Sequence, residues 1–191
     1  MEQTETSISV LSGRFFDFLK PEEYDYNIEE IATSLSNQCR YTGHVNRFYS
    51  VAEHSVLVSR LVPSELSLCG LLHDASEAFT GDVAKPLKEL IGPTFKDIED
   101  SIEKAIAEHF NLPYPFPEEV KVADKQMYWQ ERQDVANVGV GDSLWNQDRR
   151  ATRKVEAKGM APHMARRMFL SRYKEITKQK DNSKKVVNLY G

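Results

Sequence analysis

The stretch SELSLCGLLHDASEAF, residues 64–79, decides the fold class. Ser64 can act as an N-cap, and apolar residues then occupy nearly every face of a helix of this length. A helix that is apolar all round is typical of a buried central element. The sequence therefore predicts a central helix over 64–79, with the polar pair His73-Asp74 inside it.

Helical periodicity continues on both sides of this stretch. Asn27 is followed by Glu30 and Ser50 by Glu53, which is the capping-box pattern and predicts helices over 27–38 and 50–62. Apolar spacing predicts four more helices, over 83–91, 94–110, 118–135 and 162–179. Short apolar runs around a Ser-Gly turn near the N-terminus predict a small hairpin. The expected fold is a compact all-α helical bundle.

Length and composition fit one globular domain. The chain has 191 residues, of which 40% are apolar and 28% charged, and both fractions are ordinary for such a domain. We expect a single domain over 1–180 and a flexible tail over 181–191. The start of the chain is not a secretory signal, and no apolar run approaches the roughly 18 residues of a membrane span. Cys39 and Cys69 form no CxxC pair, so we expect a cytoplasmic protein without a membrane partner.

The charge is uneven along the chain. Residues 149–191 carry 13 Lys and Arg against 3 Asp and Glu, although the net charge is −4. Such a segment can bind nucleic acid, or it can be the solvated face of a helix. Aromatic residues do not alternate with the basic ones as a nucleic-acid surface requires. We therefore expect a solvated face and no nucleic-acid partner.

Two histidines and two carboxylates form a candidate metal site. An ionised carboxylate such as Asp74 is costly to bury unless it is paired. His54, His73, Asp74 and Asp124 lie on three predicted helices, and imidazole mixed with carboxylate suits Co, Mn, Fe or Zn better than Mg. The alternative is a His-Asp pair satisfied by the backbone or by a basic partner.

Glu77 is the candidate for proton transfer, because it lies four residues after His73 and so shares its helix face. It is placed to orient a water molecule or to protonate a leaving oxygen. The alternative is a carboxylate that holds one of the ligand histidines.

These residues resemble a known family. His54, His73-Asp74 and Asp124 match the H…HD…D pattern of the HD-domain metal-dependent phosphohydrolases. The string HDASEAFTGD over 73–82, running on to PLK over 86–88, resembles the 5′-deoxynucleotidase branch, and the small phage-type triphosphohydrolases that act on dATP have a similar core. The resemblance extends from about Arg40 to Asp124 and implies an HD-type helical domain.

The activity implied by this resemblance is hydrolysis of the 5′ phosphoester of deoxynucleotides with a divalent metal ion: Co, Mn, Zn, Fe or Mg. Water attacks the α-phosphorus and releases a deoxynucleoside, together with phosphate from a monophosphate or triphosphate from a triphosphate. The resemblance also implies a homodimer or higher homo-oligomer. Two alternatives are a hydrolase of signalling nucleotides on the same fold and a non-enzymatic helical module that binds nucleic acid.

The resemblance also suggests residues that contact the substrate. Arg40 and Tyr41 lie where the branch keeps an Arg-aromatic pair, so Arg40 binds phosphate oxygens and Tyr41, in place of Trp, limits room for a 2′-hydroxyl. Asp82 accepts a hydrogen bond from the 3′-hydroxyl, or it caps the helix over 83–91. The alternative for Arg40 is a salt bridge.

Further phosphate contacts are expected from basic residues nearby. His44 and Arg47 share a loop with Arg40, and Lys88 follows the HD string. The alternative for Lys88 is a solvated surface lysine.

Overall fold

The computed structural model describes residues 2–136 and 155–187, with side chains as far as Gln179. A short antiparallel hairpin pairs β1 (Ser7–Ser9) with β2 (Phe15–Asp17). The helices are α1 (Ile28–Asn37), α2 (Val51–Leu61), α3 (Ser67–Leu72), α4 (Glu77–Thr80), α5 (Lys85–Ile91), α6 (Pro93–His109), α7 (Glu118–Asp134) and α8 (Pro162–Val187). The prediction of an all-α bundle with a small hairpin is confirmed.

Both predicted N-caps form, but neither capping box closes. The side chains of Asn27 and Ser50 accept hydrogen bonds from helical backbone N–H groups at 2.8 and 3.1 Å. Glu30 instead accepts from the Tyr24 hydroxyl, and buried Glu53 accepts from three successive backbone N–H groups over 158–160. Glu53 therefore ties α2 to the segment that precedes α8.

The predicted central helix over 64–79 is wrong as a single element. A 3-10 turn leads into α3, which ends at Leu72, and α4 begins only at Glu77. Between α3 and α4 the backbone hydrogen bonds are of the 3-10 type, from an N–H group to the carbonyl oxygen three residues earlier. One example is the bond from Glu77 N–H to the Asp74 carbonyl oxygen at 3.1 Å. The i, i+4 relation of an α-helix therefore does not apply to His73 and Glu77.

The two central helices, α2 and α3, are almost entirely buried. Gly70 of α3 makes their close approach possible, because a Cβ there would lie 3.0 Å from Cα of Ser59 in α2. Helices α7 and α8 both pack against this pair, and α1 packs against α2 and α8. This packing places His54 of α2, with 0% exposure, in the interior.

The last helix is longer than predicted. It begins at Pro162 as expected but ends at Val187 rather than at Gln179. The predicted tail over 181–191 thus starts as helix, and residues 188–191 lie outside the described part of the chain. None of the helices in the described ranges combines the length and apolar character that crossing a membrane requires.

Candidate metal centre

The four predicted ligands meet at one point. α2 supplies His54, the turn after α3 supplies His73 and Asp74, and α7 supplies Asp124. Nε2 of His54 lies 3.3 Å from Nε2 of His73, 3.1 Å from Oδ1 of Asp124 and 3.4 Å from Oδ2 of Asp74. Nε2 of His73 lies 3.2 Å from Oδ2 of Asp74. We call these four residues the HD cluster.

The outer nitrogens of both imidazoles face hydrogen-bond acceptors. Nδ1 of His73 lies 3.0 Å from the Gly70 carbonyl oxygen. Nδ1 of His54 lies 3.3 Å from Oε2 of Glu131. Because these oxygens only accept, they favour the neutral tautomer with the proton on Nδ1 in each ring, and that tautomer points both Nε2 lone pairs into the cluster. Two lone pairs 3.3 Å apart repel each other unless a positive charge lies between them.

The electrostatics of the cluster favour a cation. Burial raises the pKa of Asp74, but the charge of His73 outweighs this and lowers it to about 2. Burial lowers the pKa of His73, yet Asp74 and Asp124 raise it well above 6.5 overall. One ligand atom from each of His54, His73 and Asp124 lies within 4.8 Å of the others. Two imidazoles with two ionised carboxylates thus fit a divalent transition metal.

Glu131 is a site residue that the sequence analysis missed. It is fully buried in α7, and while Oε2 faces His54, Oε1 accepts from Nη2 of Arg40 at 3.0 Å. Its carboxylate therefore lies beside a predicted ligand imidazole, the position considered for Glu77. The available signal was spacing, because Glu131 lies seven residues, or two helical turns, after Asp124.

Arg40 and Glu77 flank the HD cluster. The Arg40 guanidinium reaches Asp74 at 3.5 Å as well as Glu131, so the salt-bridge alternative holds at least in part. Burial first, and then the charges of Asp74 and Asp82, raise the pKa of Glu77 well above its usual range. Glu77 holds neither ligand imidazole, since Gly70 and Glu131 occupy both Nδ1 positions.

Some predicted substrate residues lie elsewhere. Lys88 is not a solvated surface lysine, since it pairs with Glu99 and its Nζ lies 3.8 Å from Oε1 of Glu77. His44 is exposed and does not line the cavities described below. Arg47 donates to the backbone carbonyls of Asp134 and Ala157 instead of facing the cluster. The side-chain contacts of Lys88 and Arg47 and the exposure of His44 depend on local packing, which the sequence does not reveal.

Asp82 lies beside two other predicted substrate residues. It lines a cavity beside Arg40 and Tyr41, and its backbone N–H donates to Gln38 at 3.0 Å. The N-cap of α5 is Ala84, without a side-chain capping bond, so the capping alternative for Asp82 is wrong.

Two cavities open on the HD cluster and share Asp124. The Tyr128 cavity has a volume of about 840 Å³ and is lined by Arg40, Tyr41, Asp82, Asp124, Tyr128 and Arg132, among others. The Tyr114 cavity has a volume of about 380 Å³, and its lining includes His73, Asp74, Glu103, Tyr114 and Asp124. Both volumes are typical of small-molecule sites. The cluster is therefore accessible, unlike a closed structural metal site.

Sequence comparison finds two uncharacterized bacterial relatives. No protein-family model matches it. It is 40% identical over 173 residues to the uncharacterized protein YfdR of Escherichia coli strain K12. The aligned region covers 89% of this chain and 95% of YfdR. It is 38% identical over 125 residues to an uncharacterized protein of Rhodobacter capsulatus, covering 61% of this chain and 64% of that protein. At this identity and coverage, the chain belongs to the same family as Escherichia coli YfdR.

Proposed function

We propose that the protein is a metal-dependent phosphohydrolase that cleaves the 5′ phosphoester of deoxynucleotides. The observation that carries the proposal is the inward-facing pair of imidazole Nε2 atoms, 3.3 Å apart and bordered by Asp74 and Asp124. A divalent metal bound there lowers the pKa of a water ligand and polarises a phosphoryl oxygen. The resemblance to the HD-domain phosphohydrolases supports the same reaction.

Arg40 supplies positive charge for the phosphoryl group. Its side chain is 12% exposed, and its guanidinium contacts Asp74 and Glu131. Its buried Nε has no hydrogen-bond partner among the described residues. A planar guanidinium group held in this way can donate two hydrogen bonds to phosphate oxygens and balance the negative charge that develops on them. The contact with Glu131 also couples Arg40 to His54.

Glu77 is the proton donor in this proposal. Burial first, and then the charges of Asp74 and Asp82, raise the pKa of Glu77, which favours the protonated carboxyl group that a proton donor needs. Water forms the new bond to phosphorus and releases one proton to solvent, while the bond to the 5′ oxygen breaks and that oxygen takes the proton from Glu77, which regains a proton from solvent before the next turnover. The product is a deoxynucleoside with phosphate, or with triphosphate when the substrate is a triphosphate.

Asp82 and Tyr41 select the sugar. Both line the Tyr128 cavity beside Arg40. In the proposal the Asp82 carboxylate accepts from the 3′-hydroxyl, and the Tyr41 ring restricts the space for a 2′-hydroxyl. Steric rejection of an added hydroxyl is modest in general, so we expect a preference for deoxynucleotides that is incomplete.

The test is a panel of deoxynucleoside monophosphates, deoxynucleoside triphosphates and ribonucleotides with Co²⁺ or Mn²⁺, with products separated by chromatography. We expect cleavage at the 5′ oxygen, lost in Asp124→Ala and retained in Asp97→Ala, a matched change at an exposed carboxylate. Cleavage of signalling nucleotides alone would support the alternative enzyme. Absence of both metal binding and hydrolysis would support a binding module.

A further inference from the structure

We propose that the Tyr128 cavity binds the base of the nucleotide, with Tyr128 and Tyr41 as the aromatic walls. This inference rests on the proposed function only in taking the ligand to be a nucleotide. Tyr128 lies four residues after Asp124 on α7. The two side chains therefore share one helix face and are separated by about one turn. A ligand with its phosphate at the HD cluster can thus extend along α7 toward Tyr128.

The orientation of the Tyr128 ring is fixed by its neighbours. Its hydroxyl accepts a hydrogen bond from Nη1 of Arg132 at 2.9 Å, and the guanidinium carbon lies 5.4 Å from the ring centroid. The Tyr41 ring lies 6.2 Å from it, centroid to centroid, at an interplanar angle of 34°. Tyr128 is only half-buried and lines the cavity. An aromatic ring held in this way at a cavity wall offers a stacking surface.

The backbone at Tyr41 is strained. Tyr41 has φ 58° and Thr42 has φ 54°, both in the left-handed region that β-branched and bulky residues rarely adopt. Arg40, which reaches the HD cluster, immediately precedes them. Strain of this kind persists where the surrounding structure positions a functional side chain. Here it sets the Tyr41 ring beside Tyr128.

The aromatic rings of the cavity lining can stack on any nucleobase, so they do not select one base over another. Every nucleobase has a π-face, so stacking depends little on base identity. The charged groups of the lining are mixed, with Lys85, Lys125 and Arg132 beside Asp82, Glu89 and Asp124, so the aromatic rings and not net charge carry the assignment. The Tyr114 cavity, by contrast, is less than half as large, and its two aromatic rings, Tyr114 and Phe116, meet edge to face at an interplanar angle of 75°. We therefore place the base on the Tyr128 side of the cluster.

Direct binding to the metal-free, full-length protein tests this placement. The probes are 2′-deoxyadenosine 5′-monophosphate and 2-deoxyribose 5-phosphate, which lacks the base, each titrated by calorimetry. The ratio of their Kd values measures the contribution of the base, and one stacked base corresponds to a ratio of about 5–150. We expect this ratio to fall toward 1 in Tyr128→Leu and to persist in Tyr128→Phe, which keeps the ring.

The matched control is Tyr114→Leu, the same change in the other cavity, which we expect to keep the wild-type ratio. A ratio near 1 in the wild type, or one unaffected by Tyr128→Leu, would overturn the proposal. A ratio of Kd values that falls toward 1 in Tyr114→Leu would place the base in the Tyr114 cavity instead. If circular dichroism shows that Tyr128→Leu is unfolded, Tyr41→Leu tests the opposite wall with the same expected loss.

This experiment is independent of turnover. Binding to the metal-free protein requires no hydrolysis, so a protein that cleaves no nucleotide can still bind the base at Tyr128. Failure of the base site and failure of the proposed function are therefore distinguishable.

Discussion

Replacement of Glu131 by Gln tests how the HD cluster is held. The glutamate is fully buried and gives one oxygen to His54 and the other to Arg40. A glutamine has one carbonyl oxygen, so it can satisfy only one of these donors and presents its own N–H groups to the other. The Nδ1 proton of His54 or the Arg40 guanidinium then loses its acceptor.

Two effects are expected from this change, and general values set their size. Loss of a partner that orients a metal ligand lowers metal affinity about 10–100-fold. Loss of one member of a buried ion pair destabilises a protein by about 3–5 kcal/mol. In this variant Arg40 still has Asp74 as an ion-pair partner at 3.5 Å. We therefore expect a destabilisation at the lower end of that range, about 3 kcal/mol. This leaves a typical domain folded.

Two assays measure these effects in Glu131→Gln: competition with a chelator for Co²⁺ and unfolding by urea. The matched control is Glu29→Gln, which removes a half-exposed carboxylate paired with Arg166. We expect less than about 1 kcal/mol of destabilisation there and unchanged metal affinity. A folded Glu131→Gln protein with wild-type Co²⁺ affinity would refute the role of Glu131 in orienting His54.

Three further predictions concern the reaction. His73→Ala or Asp74→Ala should abolish metal binding, measured by elemental analysis, and nearly all hydrolysis while helix content by circular dichroism stays. Glu77→Ala should lower kcat by about 10²–10⁴ with metal still bound, because it holds neither ligand imidazole. Co²⁺ affinity, measured by calorimetry across neutral pH, should rise with pH. Burial lowers the pKa of His73, but its carboxylate neighbours raise it above 6.5, so protons compete with the metal below that pKa.

Different outcomes would contradict these predictions. Full activity in a metal-free Asp74→Ala protein would exclude the metal mechanism. Loss of metal in proportion to activity in Glu77→Ala would mean that Glu77 holds the cluster and does not transfer protons. Co²⁺ affinity independent of pH would mean that the imidazoles carry no proton in the metal-free protein.

The elements predictable from sequence are those set by local chemistry. Asn27 and Ser50 are N-caps because their side chains accept from nearby backbone N–H groups, a signal contained within four residues. Apolar spacing also gave the positions of most helices. Apolar spacing did not reveal the 3-10 turn at His73. A single 3-10 turn hardly changes the spacing of apolar residues over 64–79, so the sequence still looks like one helix.

The four residues of the HD cluster could be picked out from the sequence, but the burial of Glu131 beside them could not. Glu131 lies between Gln130 and Arg132, where a charged residue on a helix is usually solvated. Only the packing of α7 against α2 buries it beside His54. In the same way, the pairing of Lys88 with Glu99 depends on how α5 meets α6, which no short motif specifies.

The most direct test of the metal-dependent reaction is a titration of Mn²⁺ or Co²⁺ into chelator-treated protein with a deoxynucleotide as substrate. Bound metal and released deoxynucleoside are measured in the same samples. We predict no hydrolysis without metal and a rate that rises in proportion to site occupancy until the HD cluster is saturated. Hydrolysis that is independent of metal, or a saturated cluster that hydrolyses none of the deoxynucleoside monophosphates or triphosphates, would contradict the account.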